Sequence, residues 1–277
     1  MKLQTKLIFA VGAAVLSQTA VAKPSFDLRH EIKDSTSTSD ENAEHASRFK
    51  FGDTFKINKS WKANLSLETK FKSDDPEEFL TDVYINELEV DMGLTYNLGG
   101  GWQLKPGMPI NVAYDEPNDN GDRFFYMKKV TFKPQVRIQN TTKFGFGKLK
   151  TALRYRHEFA DFRHATMGTS ENGDTNRVTN EKEFNPQTSK ITLTGQFTPK
   201  SLKKLYFAWE ANYIKSHDDV KKGIANDEDD DFDAGVFLGY RIGNFRPYVE
   251  AWNIKGDDAA TNRRGNKYRI GLKYYWK

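Results

Sequence analysis

From Ser25 to Lys33 the chain alternates without a slip: Phe26, Leu28, His30 and Ile32 share one face of an extended segment, and Asp27, Arg29, Glu31 and Lys33 share the other. Period two marks a β-strand whose faces meet different surroundings. Twelve such segments can be laid out, near 25–33, 44–52, 61–72, 84–97, 102–114, 124–139, 148–159, 189–197, 205–215, 232–241, 245–253 and 266–277. In 61–72, Ala63, Leu65, Leu67, Thr69 and Phe71 alternate with Lys62, Asn64, Ser66, Glu68, Lys70 and Lys72. Soluble sandwiches and membrane barrels both alternate, so the connections must discriminate. The links after every second segment are short, among them Leu98-Gly99-Gly100-Gly101 and Ile242-Gly243-Asn244. The intervening links are long and polar, the longest from Ala160 to Thr188. An even strand count, segments of roughly 9 to 11 residues and short turns on one side only are what a transmembrane barrel requires. The predicted fold is all-β: a twelve-stranded antiparallel transmembrane β-barrel with short periplasmic turns and long extracellular loops. Trp61, Tyr96, Trp102, Phe159, Tyr240, Phe245, Tyr274 and Trp276 fall at segment ends, where an interfacial aromatic girdle belongs. In 102–114, Pro106 and Pro109 each remove a ladder donor and predict a bulge or break.

A mean hydropathy of -0.75 would ordinarily indicate a soluble protein. Strands that show lipid only alternate residues escape that average. The N-terminus supplies an address: Lys2 and Lys6 precede an apolar run from Leu7 to Leu16, and Ala20-Val21-Ala22 offers a small-x-small cleavage pattern. Residues 1–22 are read as a cleaved signal peptide and 23–277 as the barrel domain, because so short a run cannot span a bilayer, which takes roughly 20 residues. The expected location is the outer membrane of a Gram-negative bacterium. No cysteine is present, which excludes disulfides, thiolate metal sites and lipid attachment at a mature N-terminal Cys. No cofactor, metal or nucleic-acid partner is expected.

With each polar face assigned to the lumen, charge becomes a map. Nineteen lumenal cations, among them Arg29, Arg48, Lys129, Lys133, Arg137, Arg154, Arg156, Arg246 and Arg269, face ten lumenal anions, whereas the whole chain carries only +4. The excess is spatial. A narrow lumen focuses such an excess and concentrates anions. Those nine are candidate contacts for an anionic substrate, since a guanidinium fork can hold a carboxylate through two parallel hydrogen bonds. The outer loops carry the opposite sign, at Asp74, Asp75, Glu77, Glu78, Asp115, Glu116 and the run Asp227-Glu228-Asp229-Asp230-Asp231. Divalent cations bridging these carboxylates to lipopolysaccharide phosphates are one reading, although no fixed-spacing calcium loop is present.

Four short stretches carry a resemblance: Asp27-Leu28-Arg29-His30-Glu31, Leu153-Arg154-Tyr155-Arg156, Arg246-Pro247-Tyr248-Val249-Glu250 followed by Asn253, and Tyr268-Arg269-Ile270-Gly271. In their order the chain resembles the oligogalacturonate-specific porin family, whose relatives include a sialic acid porin. The resemblance implies a monomeric twelve-stranded barrel passing acidic oligosaccharides, in contact with outer-membrane lipids and lipopolysaccharide. It also makes Arg29, Arg154, Arg156, Arg246 and Arg269 substrate contacts. The chain departs from the pattern in ending Tyr274-Tyr275-Trp276-Lys277 rather than on phenylalanine, and in its longer, more acidic loops.

Other functions make different demands. A barrel phospholipase needs a His and a Ser two residues apart on the lipid face; His157 lies on that face, but Phe159 occupies the second position. An omptin-like protease would gather Asp161 and His164 at the outer mouth. A filled structural barrel would balance its lumenal charges. A neutral-sugar channel would show an aromatic slide, for which the lumen face offers chiefly Tyr206, Phe237, Tyr248 and Trp252.

Overall fold

The computed structural model describes residues 24–33, 44–73, 83–114, 127–162, 187–217, 230–255 and 264–276. The expected signal peptide, the loop tip with His164, and the acidic positions 74–78, 115–116 and 227–229 lie outside them. The elements are β1 Ser25–Lys33, β2 Glu44–Lys56, β3 Trp61–Lys72, β4 Tyr84–Gly99, β5 Trp102–Gly107, β6 Ile110–Tyr114, β7 Met127–Phe132, β8 Gln135–Lys143, β9 Gly147–Phe162, β10 Gln187–Pro199, β11 Leu205–Ser216, β12 Asp230–Tyr240, β13 Phe245–Lys255 and β14 Arg264–Tyr275. All pairings are antiparallel, and β14 closes on β1 from Ser25↔Tyr275 to Lys33↔Lys267.

The fourteen elements make twelve staves. β5 and β6 lie end to end along β4, and β7 and β8 lie end to end along β9. Proline explains both interruptions, because Pro109 and Pro134 have no N–H to give the ladder. The staves continue through the breaks: Met108 N–H donates to Met92 O (2.8 Å), Lys133 N–H to Pro109 O (2.8 Å) and His157 N–H to Pro134 O (3.0 Å). Pro106 itself stays in register opposite Val136. Several strands run beyond the pattern read from sequence, furthest at their C-terminal ends β2, to Lys56, and β8, to Lys143, which shortens the turns that follow. The tightest turn uses Gly99, Gly100 and Gly101 at φ 88°, 56° and 85°, a left-handed backbone that side chains resist.

The interior and exterior are inverted relative to a soluble protein. Val236 and Ile270, mid-strand and outward, are each 64% exposed, whereas Thr192 is 0% and Asn212 1% exposed. An apolar band of this extent is stable in lipid and a liability in water. At the short-turn end, Trp61 lies tilted against Tyr96 (4.6 Å between centroids), and Tyr274 lies 4.8 Å from both Phe245 and Trp276. The end of the acidic run belongs to β12 rather than to a loop. Asp230 accepts from Tyr213 Oη (2.9 Å), and Arg264 on β14 donates to Asp231 (3.2 Å), to Asn253 Oδ1 (2.8 Å) and to the Phe232 carbonyl. Arg264 thereby ties β14 to the upper part of β12, where the β12–β13 ladder has ended at Ala234↔Asn253.

Candidate functional site

Alternation carries the nine candidate cations to the inner wall, and register then selects their partners. On β1 to β4 these partners are carboxylates. Glu68 accepts from Arg29 Nη2 (2.7 Å) and Arg48 Nη1 (2.8 Å). Glu31 accepts from Arg269 Nε (2.8 Å) and lies near Arg48 Nε (3.8 Å) and Lys70 Nζ (3.6 Å), while Glu250 accepts from Arg269 Nη1 (3.1 Å). All three acids are buried, so little water competes. Lys133 is held by Glu89 at 2.8 Å. Arg156 reaches Glu158 at 3.4 Å and shares Gln135 Oε1 through Nε and Nη2. Lys129 shares the inward parity of Thr131, which is buried.

The wall of β5 and β8–β10 is different. Lys105 on β5 faces Arg137 on β8, and Arg137 faces Arg154 on β9, so three cations stand in one lateral row. Lys105 donates to Gln139 Oε1 (3.2 Å), and Arg154 Nη2 donates to Thr192 Oγ1 (3.0 Å), which donates in turn to Asn212 Oδ1 (2.8 Å). Among the described residues none of Lys105, Arg137, Lys150, Arg154 and Lys190 has an ion pair, and the buried Nε atoms of Arg137 and Arg154 have no acceptor. Like charges directly opposite across a ladder oppose folding. The row is therefore a standing electrostatic cost that a bound polyanion would relieve. Arg246, the ninth candidate, lies over the Tyr275 ring instead, 4.0 Å from its centroid.

A model of the oligogalacturonate-specific porin protein family (KdgM) matches residues 16–276. The chain belongs to that family. It is 26% identical over 275 residues to the oligogalacturonate-specific porin KdgM of Dickeya dadantii (strain 3937), covering 98% of this chain and 99% of that one. Two solved structures share the fold. The KdgM porin in complex with disordered oligogalacturonate has TM-score 0.53 at 19% identity, covering 91% of this chain and 99% of its own. The NanC porin has TM-score 0.53 at 18% identity, covering 90% and 98%. The barrel is an outer-membrane porin.

Three of the four stretches that carried the resemblance meet in this porin. Tyr248 Oη donates to Asp27 Oδ1 (2.8 Å), Arg269 bridges Glu31 and Glu250, and a Cβ at Gly271 would collide with the Tyr248 ring. The charge map omitted Lys267, which lies over Trp252 at 5.2 Å; its parity with Arg269 was signal enough. It also omitted Gln135, Gln139, Thr192 and Asn212, because a search for charge overlooks neutral hydrogen-bonding groups. On the outer face His157 does meet a serine, but on the next strand: Nδ1 is 3.0 Å from Ser189 Oγ, which is 2.8 Å from His217 Nε2. His157 and Ser189 are ladder partners, and His157 Nε2 lies 3.3 Å from Gln187 Oε1.

Proposed function

We propose that this porin passes acidic oligosaccharides of the galacturonate type, acting as a monomer and not as an enzyme, after cleavage of residues 1–22. The observation that carries the substrate class is the uncompensated row Lys105–Arg137–Arg154. Inward guanidinium and ammonium groups that repel one another and lack carboxylate partners bind a chain of carboxylates favourably. Staves that close on themselves within one chain support the monomer reading. The exposed apolar band meets outer-membrane lipid, and the extracellular strand ends lie at the level of lipopolysaccharide head groups. Arg29, Arg48, Lys133, Arg156 and Arg269, each with a carboxylate partner, take part in this reading mainly by shaping the compensated wall, and Arg137, Arg154, Arg246 and Lys129 as the contacts nearer the substrate.

The test is current block in planar bilayers. A galacturonate trimer should interrupt the open current at concentrations at which a neutral glucose trimer does not. Equal block by the two, or no block by the acidic one, would remove the proposal.

A further inference from the structure

Lumenal cations are held in three ways: by carboxylates, chiefly on β1–β4 but also at Arg269 and Lys273 on β14; by amides and hydroxyls on β5 and β8–β10; and by aromatic rings on β11–β14. On the last wall Arg246 lies 4.0 Å from the Tyr275 ring centroid, Lys267 5.2 Å from Trp252 and Arg241 5.9 Å from Tyr206. None of these three cations has an ion pair among the described residues. Glycines of β12 seat two of these rings. A Cβ at Gly239 would strike the Tyr206 ring, and one at Gly235 the Trp252 ring.

A carboxylate orients a cation and also cancels its charge. A ring face attracts the cation through its quadrupole and leaves the full charge in place. We propose that Tyr206, Trp252 and Tyr275 are positioning residues: ring mounts, the first two seated on glycines, that hold Arg241, Lys267 and Arg246 in fixed places without neutralising them. The wall thus presents charge that is both undiminished and preorganised, which lowers the ordering cost of gripping a polyanion. This inference rests on the channel reading above.

The experiment uses the full mature chain in planar bilayers, with two probes, a galacturonate trimer and an oligoglutamate of equal charge. Tyr206→Leu with Tyr275→Leu keeps the apolar bulk and removes both ring faces; Tyr206→Phe with Tyr275→Phe keeps the faces. The Leu pair should shorten the residence time of each blocking event about fivefold or more, the equivalent of releasing one ring-held cation. The Phe pair should match the wild type, and reversal potentials in KCl should be the same in all three, because formal charge is unchanged. Wild-type residence in the Leu pair, equal loss in the Phe pair, or a reversal potential that shifts along with residence overturns the proposal. If neither polyanion blocks the wild type, this inference and the channel reading fall together. Block by oligoglutamate alone defeats only the sugar reading, and the variants are then compared with oligoglutamate. Should the Leu pair fail to assemble, Tyr275→Leu against Tyr275→Phe, at the end of β14, makes the same comparison.

Discussion

Replacing Arg154 with glutamate separates a cation kept for transport from one kept for stability. Arg154 faces Arg137 directly, with Lys105 next in the row. A like pair in that position costs about 0.2 to 1 kcal/mol, and an opposite pair gains about as much. Against this stands the Arg154–Thr192 bond of 3.0 Å, worth about 1.5 kcal/mol as a bond to a charged group. The change should therefore be close to neutral for stability, within about 1 kcal/mol. Arg269→Glu is the contrast. It removes the partner of Glu31 and Glu250 and adds a third carboxylate beside them, which should cost at least about 3 kcal/mol. Urea unfolding of the refolded barrel, followed by gel mobility, reads the difference.

Transport should rank the two the other way. Arg154→Glu removes one cation from the uncompensated row and pairs off Arg137, so anion preference should fall clearly from a lumenal excess of about nine charges. Arg154→Lys should keep selectivity and lose oligosaccharide binding, since ammonium has no planar fork. Reversal potentials belong in a salt series, because acidic outer residues act over about 10 Å at 0.1 M. If Arg154→Glu destabilises the barrel as much as Arg269→Glu, or leaves anion preference untouched at low salt, the division into a compensated and an uncompensated wall is wrong.

Three further outcomes are expected. The folded barrel should migrate differently from the boiled chain on a gel and give a β-type far-ultraviolet spectrum; a helical spectrum in detergent would end the barrel reading. Gly271→Ala should drive the Tyr248 ring inward and strain its bond to Asp27, costing about 1 to 3 kcal/mol and lowering single-channel conductance; unchanged conductance would mean that the ring has room elsewhere. His157→Ala and Ser189→Ala should each leave conductance and block unaltered, and neither they nor the wild type should cleave phospholipid; cleavage lost in both variants would overturn the non-enzymatic assignment.

What the amino-acid order determined by itself was everything that depends on one strand at a time. Alternation from Phe26 to Ile32, repeated segment by segment, assigns each residue to lipid or lumen, and Gly99-Gly100-Gly101 announces a short turn. The twelve staves and the inward direction of Arg154 and Arg269 follow from that local pattern. The two broken staves were half visible, in Pro106 and Pro109, although only Pro109 and Pro134 interrupt the ladder. Which cation meets which acid was not local. Arg29 finds Glu68 39 residues away, and Arg269 finds Glu31 238 residues away across the closing seam. Such pairs depend on lateral register, which turns and bulges set strand by strand, as between Lys70 and Phe71 against β4. Arg154 and Arg269 carry the same charge on the same inner face. Only the closed barrel places one opposite Arg137 and the other between two buried carboxylates, because register, unlike alternation, is a property of neighbouring strands.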